Sequence, residues 1–171
     1  LSIRDVIRIA RYKASVEICP KAMERVMSAR RIILRSQDGK SSVYGLNTGL
    51  GLNKDRVISQ ASSGQWNQNV IFSHCVAVEP EANEEEVRAI MLARLNVLLL
   101  GHTGIQPAIV TMYEQFLNRQ IHPVVPLRGS VGQADISNLS HIGLAMMGEG
   151  EVYYHGKRVP AAEALREAGL Q

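Results

Sequence analysis

Apolar residues recur along the chain mainly at helical spacing, which predicts a mostly α-helical fold. Ser2, Asp55, Asn83 and Asp135 are residue types that cap helix N-termini, and proline suits the first helical position. These signals predict six helices and a last short one, over residues 2–13, 20–39, 55–74 (interrupted near 62–64), 83–101, 107–118, 135–148 and 161–168.

The alternating pattern of Glu151–Val159 predicts one β-hairpin with His155-Gly156 at its turn. Residues 122–126 contain two prolines and are expected to form an extended connection, and residues 78–81 an acidic loop. The expected fold class is therefore mainly α with a small β-hairpin.

The helix that follows Asn83 carries a broad apolar surface and is expected to be largely buried. Arg94 and Asn96 are polar exceptions on it. We expect them to organise buried backbone and carboxylate groups near a site rather than to touch a ligand. Some of the apolar residues along residues 84–100 are expected to cover a partner segment.

Composition narrows the possible classes of function. The 171 residues are 46% hydrophobic and 20% charged, which fits one folded domain. Apolar runs such as Val97–Leu100 are too short to span a membrane. Cys19 and Cys75 lie far apart, so neither a disulfide framework nor a metal site is expected, and a reducing, cytoplasmic location is predicted.

Charge is concentrated at the start of the chain. Residues 1–40 carry a net charge of +6 and the remainder −3. The arginines in the first helix alternate with apolar residues as on an ordinary solvated face, and only 5% of residues are aromatic. Nucleic-acid binding is therefore not expected.

Two glycine-rich segments, residues 42–51 and 129–132, stand out because a simple helical core does not need them. Neither has the residues or the βαβ context of a phosphate-binding loop, which argues against a nucleotide site.

Read together, several segments resemble the histidine and aromatic amino acid ammonia-lyase family, in the family's order and over nearly the whole chain. They are Tyr44-Gly-Leu-Asn-Thr-Gly-Leu-Gly51, Asn69-Val-Ile-Phe-Ser-His74, Met91-Leu-Ala-Arg-Leu-Asn96, Gly129-Ser-Val-Gly132 with Leu139-Ser-His141, and Pro160-Ala-Ala-Glu-Ala-Leu165. The resemblance implies that residues 1–171 are the N-terminal active-site domain of an aspartase-like helical fold. It also implies a missing C-terminal helical bundle through which four identical subunits associate.

The resemblance places the proton-abstracting base at Tyr44 and substrate-binding residues at Asn69 and His74, with a histidine-like small molecule as substrate. Because a free phenol has a pKa of about 10, such a base needs a positive field or hydrogen-bond donors nearby. Gly45 and Gly49 are expected to expose Tyr44 and to let backbone amides approach it. His141 is interpreted as structural.

The sequence departs from the family at the segment that builds its prosthetic group. Ordinary members carry Ala-Ser-Gly, which cyclises to methylidene imidazolone, but here Gly132 is followed by Gln133, Ala134 and Asp135. The loop is one residue shorter, and the serine and glycine that the ring requires are absent. No cofactor is therefore expected.

Without that electrophile, the substrate needs a better leaving group than an ordinary amine. A quaternary trimethylammonium leaves as a neutral amine, and a thiol-substituted imidazole delocalises negative charge from the β-carbon. The chain is therefore similar to the ergothionase branch of the family, which eliminates trimethylamine from ergothioneine to give thiourocanate. Two alternatives stay open: a histidine or aromatic amino acid ammonia-lyase or aminomutase, and a lyase-like scaffold subunit without catalysis.

Overall fold

The computed structural model describes residues 1–36, 42–132 and 134–170, which form seven α-helices and five short strands. The helices are α1 (Ile3–Ala10), α2 (Pro20–Ser36), α3 (Ser63–His74), α4 (Glu84–Leu98), α5 (Pro107–Arg119), α6 (Ile136–Met146) and α7 (Ala161–Glu167). The strands are β1 (Val78–Glu81), β2 (His122–Pro123), β3 (Pro126–Arg128), β4 (Glu151–Tyr154) and β5 (Lys157–Pro160).

Most of the predicted helix starts are confirmed. Ser2 forms a capping box with Asp5, and Asn83 forms one with Glu86, whose carboxylate accepts the Asn83 N–H at 2.7 Å. Pro107 occupies the first turn of α5. The first helix ends at Ala10, earlier than predicted. The predicted end of the second helix near residues 38–39 lies outside the described residues.

One predicted helix is wrong in its first half. Asp55 caps nothing and lies in a turn, and α3 begins only at Ser63, after a short 3-10 turn over Gln60–Ser62. Gly45 and Gly49, together with backbone hydrogen bonds among residues 45–58, hold the chain before α3 as a loop instead.

The β structure is larger than the single hairpin that the sequence predicts. The hairpin is confirmed: β4 pairs with β5, and His155 and Gly156 both take positive φ at its turn. The predicted loop at residues 78–81 is instead β1, which pairs antiparallel with β3. The connection after α5 contains β2, which adds to the edge of β4.

The core forms around α4, against which α1 and α5 pack. Met91, Leu95 and Leu98 of α4 and Phe116 of α5 are essentially fully buried. Within the described ranges no helix is both long enough and apolar enough to cross a membrane.

A buried charge, Arg88, lies in the middle of this core with no exposed surface. Its guanidinium donates through Nε and Nη2 to the carbonyl of Ile9, at 3.0 and 2.8 Å, and through Nη1 to the carbonyl of Leu117 at 2.8 Å. These carbonyls belong to the C-terminal turns of α1 and α5, where helix carbonyls lack partners and the helix dipole is negative. Arg88 therefore joins the ends of two helices to α4.

Candidate active site

The loop that carries Tyr44 is held by its own backbone. The amide of Gly49 donates to the carbonyl of Arg56 at 2.9 Å, and Thr48 bridges to Val57. Gly45 takes a φ of +73°, and a Cβ at Gly49 would lie 2.8 Å from the Cβ of Asn53. Both glycines are therefore required by the loop geometry.

Tyr44 itself is 65% exposed, and its phenol oxygen accepts a hydrogen bond from the Gly51 N–H at 3.2 Å. One backbone amide therefore contacts the phenol oxygen, and the role of Tyr44 as a base stays a prediction.

On α3, His74 is half-buried and its Nδ1 lies 2.6 Å from the carbonyl of Val70. Because a carbonyl only accepts, Nδ1 is the donor, and the neutral ring presents Nε2 as a hydrogen-bond acceptor. Asn69 is exposed and accepts from the Gln65 side-chain amide at 3.0 Å.

Asn69 and His74 do not share a face of α3. Five residues of helix correspond to a rotation of about 500°, which leaves the two side chains about 140° apart. The face of α3 that packs on α6 carries Ile71, since a Cβ at Gly143 would lie 3.0 Å from the Ile71 Cδ1. The joint role of Asn69 and His74 in one pocket stays a prediction.

The segment between β3 and α6 contains the residues that depart from the ring-forming Ala-Ser-Gly of the resemblance. Ser130 Oγ donates to Asp135 Oδ1 at 2.5 Å and accepts the Gly132 N–H at 3.1 Å. Ala134 and Asp135 take positive φ of 76° and 47°, a region that non-glycine residues enter at a cost. Gln133 lies outside the described residues.

The prediction that Asp135 caps the following helix through its side chain is wrong. Asp135 occupies the N-cap position of α6, but its carboxylate makes no cap hydrogen bond and binds Ser130 instead. The left-handed backbone of Asp135 differs from the extended conformation of an ordinary N-cap residue.

The structure brings the end of α3 and this loop together. A Cβ added at Gly129 would lie 2.8 Å from the Cα of Ala77, three residues after His74. The pairing of β1 with β3 holds the two segments in this register. The described hydrogen bonds of Tyr44, Gly45 and Gly49 instead join residues of their own loop.

Arg94 and Asn96 are exposed on α4 in this chain, and their role in organising buried groups near a site stays a prediction. The buried polar residues of this region are Arg88 and His122, which the sequence interpretation missed. Arg88 could have been found from spacing, since it lies four and seven residues before the buried Leu92 and Leu95.

Comparison with known proteins assigns the family. The whole chain, residues 1–171, matches the family described as aromatic amino acid lyase. The chain belongs to the aromatic amino acid lyase family. It is 39% identical to histidine ammonia-lyase from Stigmatella aurantiaca and 38% identical to that from Bacillus thuringiensis (strain Al Hakam). In both cases all of this chain aligns with 34% of the relative, so this family member spans about a third of their length.

Solved structures of the family give the same fold. Ergothionase from Treponema denticola, in complex with desmethyl-ergothioneine sulfonic acid, superposes with a TM-score of 0.98 at 43% identity over all of this chain and 34% of that chain. Tyrosine aminomutase from Streptomyces globisporus gives 0.93 at 32% identity over all of this chain and 32% of that one. Histidine ammonia-lyase from Trypanosoma cruzi gives 0.89 at 30% identity, over all of this chain and 33% of that one. The family and the mainly helical fold predicted from the sequence are confirmed.

Proposed function

We propose that this lyase-family protein is a carbon–nitrogen lyase that eliminates trimethylamine from ergothioneine, giving thiourocanate, without a methylidene imidazolone group. The observation that carries the proposal is the Gln133-Ala134-Asp135 segment at the position of the ring-forming residues. The likeness of the fold to an ergothionase supports it.

The residues present do not fit the prosthetic group. The ring requires a serine hydroxyl that leaves as water and a glycine nitrogen that closes the ring, and none of the three positions supplies either. Ser130 lies before these positions, and its hydroxyl is bonded to Asp135. No step of the proposed reaction therefore passes through an electrophilic cofactor.

In the proposed reaction Tyr44 removes the β-proton, and the electron pair of the C–H bond forms the double bond to the α-carbon. The C–N bond breaks, and trimethylamine leaves neutral with the bonding pair. The Gly51 N–H steadies the phenol oxygen while its charge changes. His74 Nε2 accepts a hydrogen bond from a ring N–H, which imidazole and thioimidazole rings both present.

The first experiment measures both amines. The intact protein is incubated with ergothioneine, with histidine and with 2-thiohistidine, and trimethylamine and ammonia are quantified. We expect trimethylamine from ergothioneine and no ammonia from the two primary amines, which carry a poor leaving group. Release of ammonia from histidine at the rate of an ordinary family member would refute the proposal. It would favour the alternative of a histidine ammonia-lyase, which is the name of the relatives.

A tyrosine pair tests the base. Tyr44→Phe should lower kcat by about 100-fold or more, the usual contribution of a general base. Tyr12→Phe is the matched control, because Tyr12 is also largely exposed and lies outside the site. If Tyr44→Phe retains full activity, another residue is the base; if no elimination substrate is found for either protein, the non-catalytic scaffold is correct.

Intact mass tests the cofactor without any substrate. Formation of methylidene imidazolone removes two waters, so the measured mass should equal the encoded mass. A deficit of two waters would refute the interpretation of Gln133-Ala134-Asp135.

The exposed apolar surface supports a larger assembly. Leu52 and Val131 are almost fully exposed beside the candidate site, and Val97 and Leu100 are about half exposed on or just after α4. Such side chains are typical of a surface that is covered by further protein. We infer that other helical segments and other copies of the subunit cover them in a cytoplasmic homotetramer, which sedimentation of the intact protein would test.

A further inference from the structure

Gly129 lies between the chain that follows α3 and the start of α6. On one side, a Cβ added at Gly129 would lie 2.8 Å from the Cα of Ala77. On the other side, the same Cβ would lie 3.1 Å from the Oγ of Ser137. The φ of +152° at Gly129 is a conformation that residues with a side chain rarely adopt. Ala77, Gly129 and Ser137 are therefore packed closely, with no room for a side chain at the middle position.

Ser137 holds Gly129 from the side of α6. Its side chain is buried, and its hydroxyl donates to the Gly129 carbonyl at 2.5 Å. Ser137 is the second residue of α6, so the helix fixes the position of its Cα. The hydrogen bond thus ties the chain that follows β3 to a rigid element.

The pairing of β1 with β3 places Ala77 beside Gly129. Val78 is the partner of Arg128 in this antiparallel pair, so the residue before Val78 lies next to the residue after Arg128. The register is irregular between Val78 and Glu81, and a pair of only two strands is marginally stable by itself. The hydrogen bond from Ser137 gives this weak pair a support from outside the sheet.

A tight turn relates the position of Ala77 to that of His74. The Val76 N–H donates to the His74 carbonyl at 2.8 Å, and Cys75 has a φ of −77° and a ψ of 63°. These angles are those of an inverse γ-turn. On the helix side, His74 Nδ1 lies 2.6 Å from the Val70 carbonyl. The imidazole is thus held by bonds on both sides of His74, and one of them leads to Ala77.

We propose that Ser137 is a positioning residue for His74 and acts through Gly129 and Ala77. This role rests on the proposed function, in which His74 Nε2 accepts a hydrogen bond from the substrate ring. Because that contact is the same before and during the elimination, a displaced His74 weakens substrate binding and leaves the chemical step unchanged. The loop of Tyr44 is held by its own backbone, so proton removal does not depend on Ser137.

The kinetic test uses the intact protein with ergothioneine and measures the release of trimethylamine. Ser137→Ala removes the hydroxyl, and we expect KM to rise about tenfold, the effect of losing one well-placed hydrogen bond. We expect kcat to change by less than about twofold. Ser140→Ala is the matched control and should change neither constant. Ser140 is also buried on α6, and within the described part of the chain its hydroxyl makes no bond to β3 or Gly129.

A double-mutant cycle with His74→Phe shows whether Ser137 acts through His74. Phenylalanine keeps a ring at this position and removes the nitrogen that accepts from the substrate. Ser137→Ala should therefore raise KM in the original protein and leave KM unchanged in the His74→Phe protein. Independent effects on KM would instead multiply.

NMR of the His74 ring tests the positioning role without any turnover. The side-chain nitrogen signals of His74 should shift in Ser137→Ala and stay unchanged in Ser140→Ala. If ergothioneine releases no trimethylamine, the proposed function is wrong. If the His74 signals are unchanged in folded Ser137→Ala, the positioning role is wrong, whatever the substrate.

Thermal unfolding shows whether each variant is folded. If Ser137→Ala is not, Ser137→Cys takes its place in all three measurements, because a thiol has nearly the same shape and is a much weaker donor. Equal KM values for the Ser137 and Ser140 variants would overturn the proposal. Multiplying effects of the Ser137 and His74 substitutions would overturn it equally.

Discussion

Replacing Arg88 by methionine removes the guanidinium that joins α1, α4 and α5 while keeping a side chain of similar length. The change deprives the Ile9 and Leu117 carbonyls and the His122 Nε2 of their donor. The Leu117 carbonyl and His122 Nε2 would stay buried, and the Ile9 carbonyl partly buried. Methionine would fill the space of the arginine stem without restoring any of these bonds.

The expected decrease in the free energy of unfolding follows from two opposing contributions. Hydrogen bonds from a charged donor contribute about 1.5–3 kcal/mol each, and three acceptor groups lose theirs. Removing the buried cation recovers several kcal/mol of its desolvation cost. We expect a net decrease of about 3 kcal/mol in the free energy of unfolding, which lowers Tm by about 6–12 °C for a domain of this size.

The assay is urea unfolding of the intact protein followed by circular dichroism, with Arg94→Met as the control. Arg94 is on the same helix but exposed, so its replacement should change the free energy of unfolding by less than about 0.5 kcal/mol. Amide hydrogen exchange of α1 should increase in Arg88→Met, because the Ile9 carbonyl of α1 loses its hydrogen bonds from Arg88 of α4. If both variants are equally stable, Arg88 does not join the helices energetically and the argument fails.

The free energy of unfolding should fall as pH is lowered from 6.5 to about 4. In the unfolded chain His122 has its ordinary pKa of 6.5 and takes up a proton in this range. In the folded protein burial lowers the pKa of His122 to about 4, so the ring stays neutral. This contribution reaches about 3 kcal/mol and should disappear from the urea midpoints of His122→Gln; an unchanged pH slope in that variant would contradict it. Gly129→Ala should cost about 2–3 kcal/mol, because its Cβ meets Ala77 at a φ of +152°. Gly132→Ala, at a φ of +78° with open space around it, should cost only about 1 kcal/mol, and equal thermal shifts for the two variants would show that the contact with Ala77 is unimportant.

Local signals predict the helices of this chain well. The capping residues Ser2 and Asn83 act within one helical turn, and Pro107 fixes its own φ, so the sequence contains their whole effect. The hairpin around His155 and Gly156 is local in the same way.

Long-range pairings could not be found by the same reasoning. The strand at residues 78–81 contains a proline and two glutamates, a composition that disfavours strands, and it forms only because residues 126–128 pair with it. Asp135 has a good capping side chain, but its carboxylate accepts a competing local hydrogen bond from Ser130, five residues earlier.

The candidate site likewise combines local features that the sequence predicts with long-range contacts that it does not. The glycines around Tyr44 could be predicted as a loop, because positive φ is a local requirement. The mutual arrangement of His74 and the segment after Gly129 depends on the pairing of β1 with β3, so its geometry comes only from the structure.

The segment between β3 and α6 is fastened at both ends by contacts that do not involve its middle. Ser137 Oγ donates to the carbonyl of Gly129 at 2.5 Å, and the Asn138 side chain donates to the carbonyl of Pro126 at 2.6 Å. These two hydrogen bonds tie the end of β3 to the start of α6 without the side chains of Ser130 and Val131. Substitution of Ser130 or Val131 is therefore expected to leave the positions of β3 and α6 unchanged.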